Sequence, residues 1–72
     1  MKDELLWCED DCTSGTPGHE SIGAAWKRLF GTRYTDQQPT AVIDHGDCIE
    51  RQFGSISVWN IYGAWHEIRR RA

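Results

Sequence analysis

The residues best able to do chemistry stand together near the start of the chain. Cys8 and Cys12 frame three adjacent carboxylates, Glu9, Asp10 and Asp11. Thiolates are good zinc ligands, whereas adjacent carboxylates attract a basic partner. The segment therefore supports two hypotheses, a structural metal site or the head of an acidic docking surface.

A second pair of metal-ligand types occurs in the turn-like sequence DHGDC. His45 and Cys48 are separated by two residues, and Gly46 allows the backbone to fold tightly between them. Together with Cys8 and Cys12 they supply the donors of a Cys3His structural zinc site, which leaves no open position for a reacting water. Because Cys-x3-Cys is looser than the usual cysteine knuckle and no second knuckle follows, we favour a chain without cofactor.

The same turn also carries carboxylates, which extend the acidic hypothesis. If it lies beside the CEDDC segment, five side chains form one negative face: Glu9, Asp10, Asp11, Asp44 and Asp47. Such a face would take the place of DNA phosphates on a basic groove. The alternative is that these are ordinary solvated loop acids.

Charge is unevenly distributed along the chain, although the formal net charge is only -3. Residues 1–24 hold six acids against one base, and residues 36–50 hold four acids and no lysine or arginine. Bases concentrate in residues 25–35 and in the final Arg69, Arg70 and Arg71. Direct nucleic-acid binding is disfavoured, because an acidic balance repels a polyanion over most of the surface.

Catalytic signatures are lacking in the sequence. Cys48 with His45 or His66 is the one nucleophile and base pairing that the sequence suggests, and no nucleophile elbow, phosphate loop or metalloprotease helix occurs. We therefore predict a non-enzymatic protein, with Tyr62 and Trp65 as aromatic partner contacts beside the acidic face.

The 72 residues have room for a single small domain, residues 1–72. Its clearest element is a helix from about Pro17 to Phe30, with Thr16 as N-cap and Gly31 closing it. Apolar residues recur along one face of that helix: Ile22, Ala25, Trp26, Leu29 and Phe30.

The second half of the chain favours strands. Thr40 to Asp44 and Cys48 to Phe53 read as a hairpin across the DHGD turn. Residues 56–70 fit a helical face as well as strands, and Gly63 favours a turn between strands. We predict an α+β fold, one helix packed on an antiparallel meander of three or four strands over about residues 40–69. The alternative is two helices flanking one hairpin, and the segment from Glu4 to Trp7 is too short to assign.

The expected compartment is the cytoplasm. No apolar run approaches the roughly 20 residues that span a bilayer, and the N-terminal MKDELLW lacks the regions of a secretory signal. An odd number of cysteines, three, also argues against a disulfide framework.

In size, acidity, aromatic richness and lack of an enzymatic motif, with the acids of CEDDC and DHGD, the chain resembles the small phage and mobile-element inhibitors known as anti-CRISPR proteins. The resemblance rests on the whole-chain profile, so no residue's role is carried over. It implies a protein of the bacterial host cytoplasm that occupies the nucleic-acid-binding surface of a CRISPR-Cas effector, in some members as a DNA mimic. The alternative function is a structural-zinc adaptor domain that mediates protein-protein interaction.

Overall fold

A computed structural model describes residues 3–9, 20–63 and 65–72. Within them lie five strands and one α-helix: β1 (Glu4–Cys8), α1 (Ile22–Phe30), β2 (Ala41–Asp44), β3 (Cys48–Phe53), β4 (Ile56–Ile61) and β5 (Trp65–Arg70). The strands form one antiparallel sheet in the order β1-β5-β4-β3-β2. The α+β class is confirmed, but the sheet has five strands rather than three or four, and the two-helix alternative is wrong.

The additional strand is β1, which pairs with β5 at one edge of the sheet. Its register shifts between Leu5 and Trp7, where the ladder is irregular. Trp7 is its one buried residue, so the segment shows no alternation of buried and exposed positions. Because its pairing partner lies some sixty residues away, local sequence does not reveal it.

Helix α1 begins at Ile22, five positions after the predicted start at Pro17. Ser21 has extended backbone angles, and its side chain accepts the Ala24 N–H over 3.2 Å, which satisfies one of the unpaired donors of the first turn. The predicted N-cap, Thr16, lies with Pro17 outside the described residues.

The end of α1 agrees with the prediction. Gly31 adopts a φ of 77° and donates its N–H to the Lys27 carbonyl over 2.8 Å, a conformation that favours glycine. Glu20, just before the helix, accepts two bonds from the Arg28 guanidinium, at 2.7 and 2.8 Å. These hydrogen bonds hold the pKa of Glu20 below its ordinary value.

The core lies between α1 and one face of the sheet. Its buried residues are Trp7, Ala25, Trp26, Val58 and Ile68. The Trp26 ring packs against Phe30, Tyr34 and Phe53, with centroids 4.5, 5.4 and 5.1 Å away. Its Nε1 donates to Thr32 Oγ1 over 3.0 Å. The indole ring is therefore packed against other rings and its N–H has a hydrogen-bond acceptor.

Strand register assigns side chains to the two faces of the sheet. Arg51, Val58 and Ile68 are cross-strand partners on the helix side. Glu50, Trp59 and Glu67 form the neighbouring row and therefore point to the other face.

Candidate functional site

Three chain segments meet at one end of the sheet. The antiparallel order places the end of β1 beside the turns that join β2 to β3 and β4 to β5. We call this the turn end, and its described residues are Glu9, Asp44 to Asp47, Tyr62 and Gly63. Some of the sequence-predicted acids and one predicted aromatic contact, Tyr62, lie at this end.

Three of the five predicted acids lie at the turn end. Asp44 and Asp47 are exposed and Glu9 is half-buried, while Asp10 and Asp11 lie outside the described residues. Glu9 follows β1 and Asp44 ends β2, the two outermost strands of the sheet. Four strand spacings separate them, about 19 Å across the sheet, so the acids flank this end rather than form one tight cluster.

The C-terminal arginines lie at the opposite end of the sheet. Arg69 and Arg70 end β5, and the Arg71 N–H donates to the Ser55 carbonyl over 2.8 Å, in the turn between β3 and β4. Arg70 pairs with Glu4 at 2.8 Å and Arg69 with Glu67 at 2.6 Å. The positive tail is thus remote from the turn end and partly neutralised by neighbouring acids.

The turn between β2 and β3 is built by its own polar groups. The His45 N–H donates to the Cys48 carbonyl over 2.8 Å, and the Gly46 N–H donates to Asp44 Oδ1 over 2.8 Å. Asp44 therefore has a turn-forming role of the kind common for aspartate. Its carboxylate remains exposed, so this role and an electrostatic one are compatible.

Tyr62 connects the second turn to the first. Its N–H donates to the Asp47 carbonyl over 2.8 Å. Its φ is 54°, and it is the one non-glycine residue with a positive φ in the described ranges. Gly63 follows at a φ of 66°, and consecutive positive φ angles favour asparagine and glycine over a bulky residue. The Tyr62 side chain is nevertheless 69% exposed.

The other predicted aromatic contact, Trp65, is only partly exposed. It lies at the start of β5 opposite Ile61, on the sheet face away from α1. Its Nε1 is buried and has no hydrogen-bond partner among the residues that the structure describes. Tyr62 is therefore the more accessible of the two.

A cleft of about 330 Å³ opens between the two turns. Its lining consists of Gly46, Asp47, Ile49, Asn60, Tyr62 and Gly63. An aspartate, an asparagine and a tyrosine thus border the cleft beside one isoleucine and two glycines. Such a mixture is typical of a site that takes a small group with both polar and apolar parts.

Glu9 and His66 are joined by three close contacts beside this cleft. Glu9 Oε1 lies 2.9 Å from His66 Nδ1 and accepts the His66 N–H over 3.0 Å, while the Glu9 N–H donates to the His66 carbonyl over 2.8 Å. His66 Nε2 lies 3.4 Å from Asn60 Nδ2. Sequence reasoning missed the roles of His66 and Asn60, because these contacts depend on strand register.

The sheet face away from α1 carries a second polar network, centred on Glu50. Glu50 is 6% exposed, and its carboxylate accepts hydrogen bonds from Gln52 Nε2 at 2.9 Å and from Ser57 Oγ at 3.0 Å. His45 Nε2 lies 2.9 Å from its other oxygen. Burial alone would raise the pKa of Glu50, but the bonds from Gln52, His45 and Ser57 outweigh it and hold the pKa below its ordinary value.

The predicted zinc ligands are not brought together. Cys8 lies on β1 and Cys48 on β3, with β5 and β4 between them. That is about 14 Å of sheet, whereas two thiolates on one zinc lie within roughly 4 Å of each other. His45 faces Glu50 instead, and Cys12 lies outside the described residues. Across residues 3–9, 20–63 and 65–72, no group of three or more His, Cys, Asp or Glu could hold a metal ion.

Comparison with known protein families, curated proteins and solved structures finds no match for this chain. Within the described part of the chain, no helix has the length and apolar character needed to cross a membrane. The class that the fold itself defines is a small α+β domain with a five-stranded antiparallel sheet.

Proposed function

We propose that the chain is a non-enzymatic, protein-binding inhibitor that docks its turn end on the basic nucleic-acid-binding groove of a CRISPR-Cas effector, in the manner of a DNA mimic. The observation that carries the proposal is the separation of charge along the sheet. Glu9, Asp44 and Asp47 lie at the turn end, and Arg69 to Arg71 lie at the other end.

The charge distribution supports docking in one orientation. Within the described residues, neither Asp44 nor Asp47 forms an ion pair with a lysine or arginine of the chain, so both carboxylates are available to a partner. A surface of one sign steers a partner of opposite sign and raises the association rate. Arg69 and Arg70 at the other end are paired with Glu67 and Glu4. That end therefore offers a basic groove less attraction than the turn end does.

The experiment measures duplex DNA binding by purified CRISPR effector complexes of the main types, with and without added chain. We expect the chain to reduce DNA binding by at least one effector at about 50 mM salt and to do so much less at about 200 mM salt. The variant Asp44→Asn/Asp47→Asn should lose most of this inhibition, while asparagine at position 44 can still accept the Gly46 N–H.

A matched control separates this site from general acidity. The variant Asp3→Asn/Asp36→Asn removes the same charge from exposed residues that lie outside the turn end. It should inhibit like the unaltered chain. If both double variants lose inhibition equally, or if no effector is inhibited at low salt, the proposed function is wrong.

A further inference from the structure

The cleft between the two turns has a lining suited to a planar cation. We propose that it receives one arginine side chain of the partner protein, whose guanidinium group stacks on Tyr62 and pairs with the Asp47 carboxylate. This inference rests on the proposed function, because the cleft belongs to the same turn end, and it names the side chain that the partner would contribute.

Asp47 supplies the charge. Its carboxylate is exposed, and it lines the cleft without an ion pair to any described cation of the chain. Its backbone carbonyl accepts the Tyr62 N–H over 2.8 Å, which fixes the two turns relative to each other. An exposed carboxylate can bind the fork of a guanidinium group with two parallel hydrogen bonds.

Tyr62 supplies the aromatic surface. Its φ of 54° is one that asparagine or glycine would adopt with less strain. A large ring that is 69% exposed gains little from burial in the fold, so the fold itself does not explain this residue. Strained residues cluster at binding sites, and arginine stacks on aromatic faces more readily than lysine does.

Ile49 and Asn60 complete the cleft. Ile49 offers an apolar contact for the methylene stem of an arginine. Asn60 Oδ1 is enclosed and has no hydrogen-bond donor among the described residues, and a polar atom in that state calls for a partner. If the Asn60 amide rotated towards the cleft, its Oδ1 would accept a hydrogen bond from a guanidinium N–H.

The test titrates 15N-labelled chain with N-acetyl-arginine methylamide and follows backbone amide shifts by NMR. We expect saturable shifts at residues 46–49 and 60–63, with a dissociation constant on the order of millimolar for so small a ligand. Affinity should fall at least about tenfold in Asp47→Asn and in Tyr62→Asn, corresponding to about 1.4 kcal/mol or more. It should stay unchanged in the matched controls Asp36→Asn and Tyr62→Phe.

Two further ligands define the outcomes that overturn the proposal. N-acetyl-citrulline methylamide has a planar group of the same shape as arginine but no charge. N-acetyl-lysine methylamide has the positive charge but no planar group. Binding by either as tight as that of the arginine derivative, or an equal loss in Asp36→Asn and Asp47→Asn, would overturn the arginine site.

The two proposals fail separately, because the titration contains no effector. Arginine binding without inhibition of any effector would sink the proposed function and leave the cleft assignment standing. Inhibition of an effector without saturable arginine binding would overturn the cleft assignment alone.

Discussion

The imidazole ring of His45 stacks on the indole of Trp59, with ring centroids 4.9 Å apart and planes inclined by 17°. The stack carries His45 onto the sheet face away from α1, where Nε2 reaches Glu50. The Arg69 guanidinium lies 5.8 Å from the Trp59 ring centroid. His45, a predicted zinc ligand, and Arg69, one of the C-terminal arginines, thus both pack on Trp59 and help to cover this face of the sheet.

Glu50→Gln should make the free energy of unfolding less sensitive to acidic pH. The pKa of Glu50 is lowered from 4.5 in the folded chain, so its contribution is present above about pH 4.5 and is lost as pH falls through the native pKa. The variant should lose about 1–3 kcal/mol at pH 7. An amide keeps one acceptor oxygen where the carboxylate has two, so the contact of one oxygen with Gln52 and Ser57 or of the other with His45 is lost. The stability of the variant should then decline less steeply between pH 5 and pH 3 than that of the unaltered chain.

Urea unfolding followed by tryptophan fluorescence at several pH values checks this prediction. Asp36→Asn, at an exposed acid without an ion pair among the described residues, is the control and should lose stability below pH 5 as steeply as the unaltered chain. If stability falls as steeply between pH 5 and pH 3 in Glu50→Gln as in the unaltered chain, Glu50 is not the source of this pH dependence.

Tyr62→Asn should stabilise the fold by about 1 kcal/mol, because asparagine tolerates a positive φ better than tyrosine. The same variant is expected to lose arginine binding, so stability and recognition would move in opposite directions. Tyr62→Phe keeps the ring and the strain and should unfold at the same urea concentration as the unaltered chain. A destabilised Tyr62→Asn would contradict the assignment of strain to this residue.

Trp26→Ala should abolish folding at ordinary temperature. Removing a buried tryptophan costs about 3–5 kcal/mol, which is a large part of the stability of a small domain. Trp26→Phe should fold, with a lower Tm, and Thr32→Val should lose about 1 kcal/mol through the unsatisfied indole N–H. Near-ultraviolet circular dichroism and thermal melts separate these cases, and a folded Trp26→Ala would mean that the core lies elsewhere.

Chelation should leave the fold intact. Because Cys8 and Cys48 lie on strands separated by two others, we expect the same Tm with and without excess EDTA and in the Cys48→Ser variant. Metal analysis of the purified chain should give far less than one equivalent of zinc. A fall in Tm on chelation that added zinc reverses would favour the alternative function, the structural-zinc adaptor, over the proposed one.

Local patterns predicted the elements whose pairing is local. The bounds of β3, Cys48–Phe53, and the end of α1 at Phe30 agree with the sequence prediction, since turn residues and a terminal glycine specify both. Gly63 likewise separates β4 from β5 as anticipated. The predicted start of α1 was wrong. Thr16 followed by Pro17 is a good start signal for a helix, but so is Ser21, and the structure shows that Ser21 is the N-cap.

The sequence named the acids of the turn end but not their arrangement. That the two acidic segments share one side was only a condition of the hypothesis, and it is the antiparallel topology that places Glu9 and Asp47 at the same end of the sheet. The pairing of Glu9 with His66 joins residues 57 positions apart, and the burial of Glu50 depends on its neighbours on adjacent strands. Neither follows from the alternation of side chains along a single strand. That alternation assigns a residue to one face of the sheet but does not identify its neighbours on adjacent strands.

The pairing of β1 with β5 also brings the two ends of the described chain side by side. The Ala72 N–H donates to Asp3 Oδ1 over 3.3 Å, at the edge of the molecule remote from Tyr62. An affinity tag, a fluorophore or a surface-immobilising linker attached near either residue would therefore project away from the cleft. Binding measurements with tethered protein should report the same affinity whether the attachment lies beside Asp3 or beside Ala72.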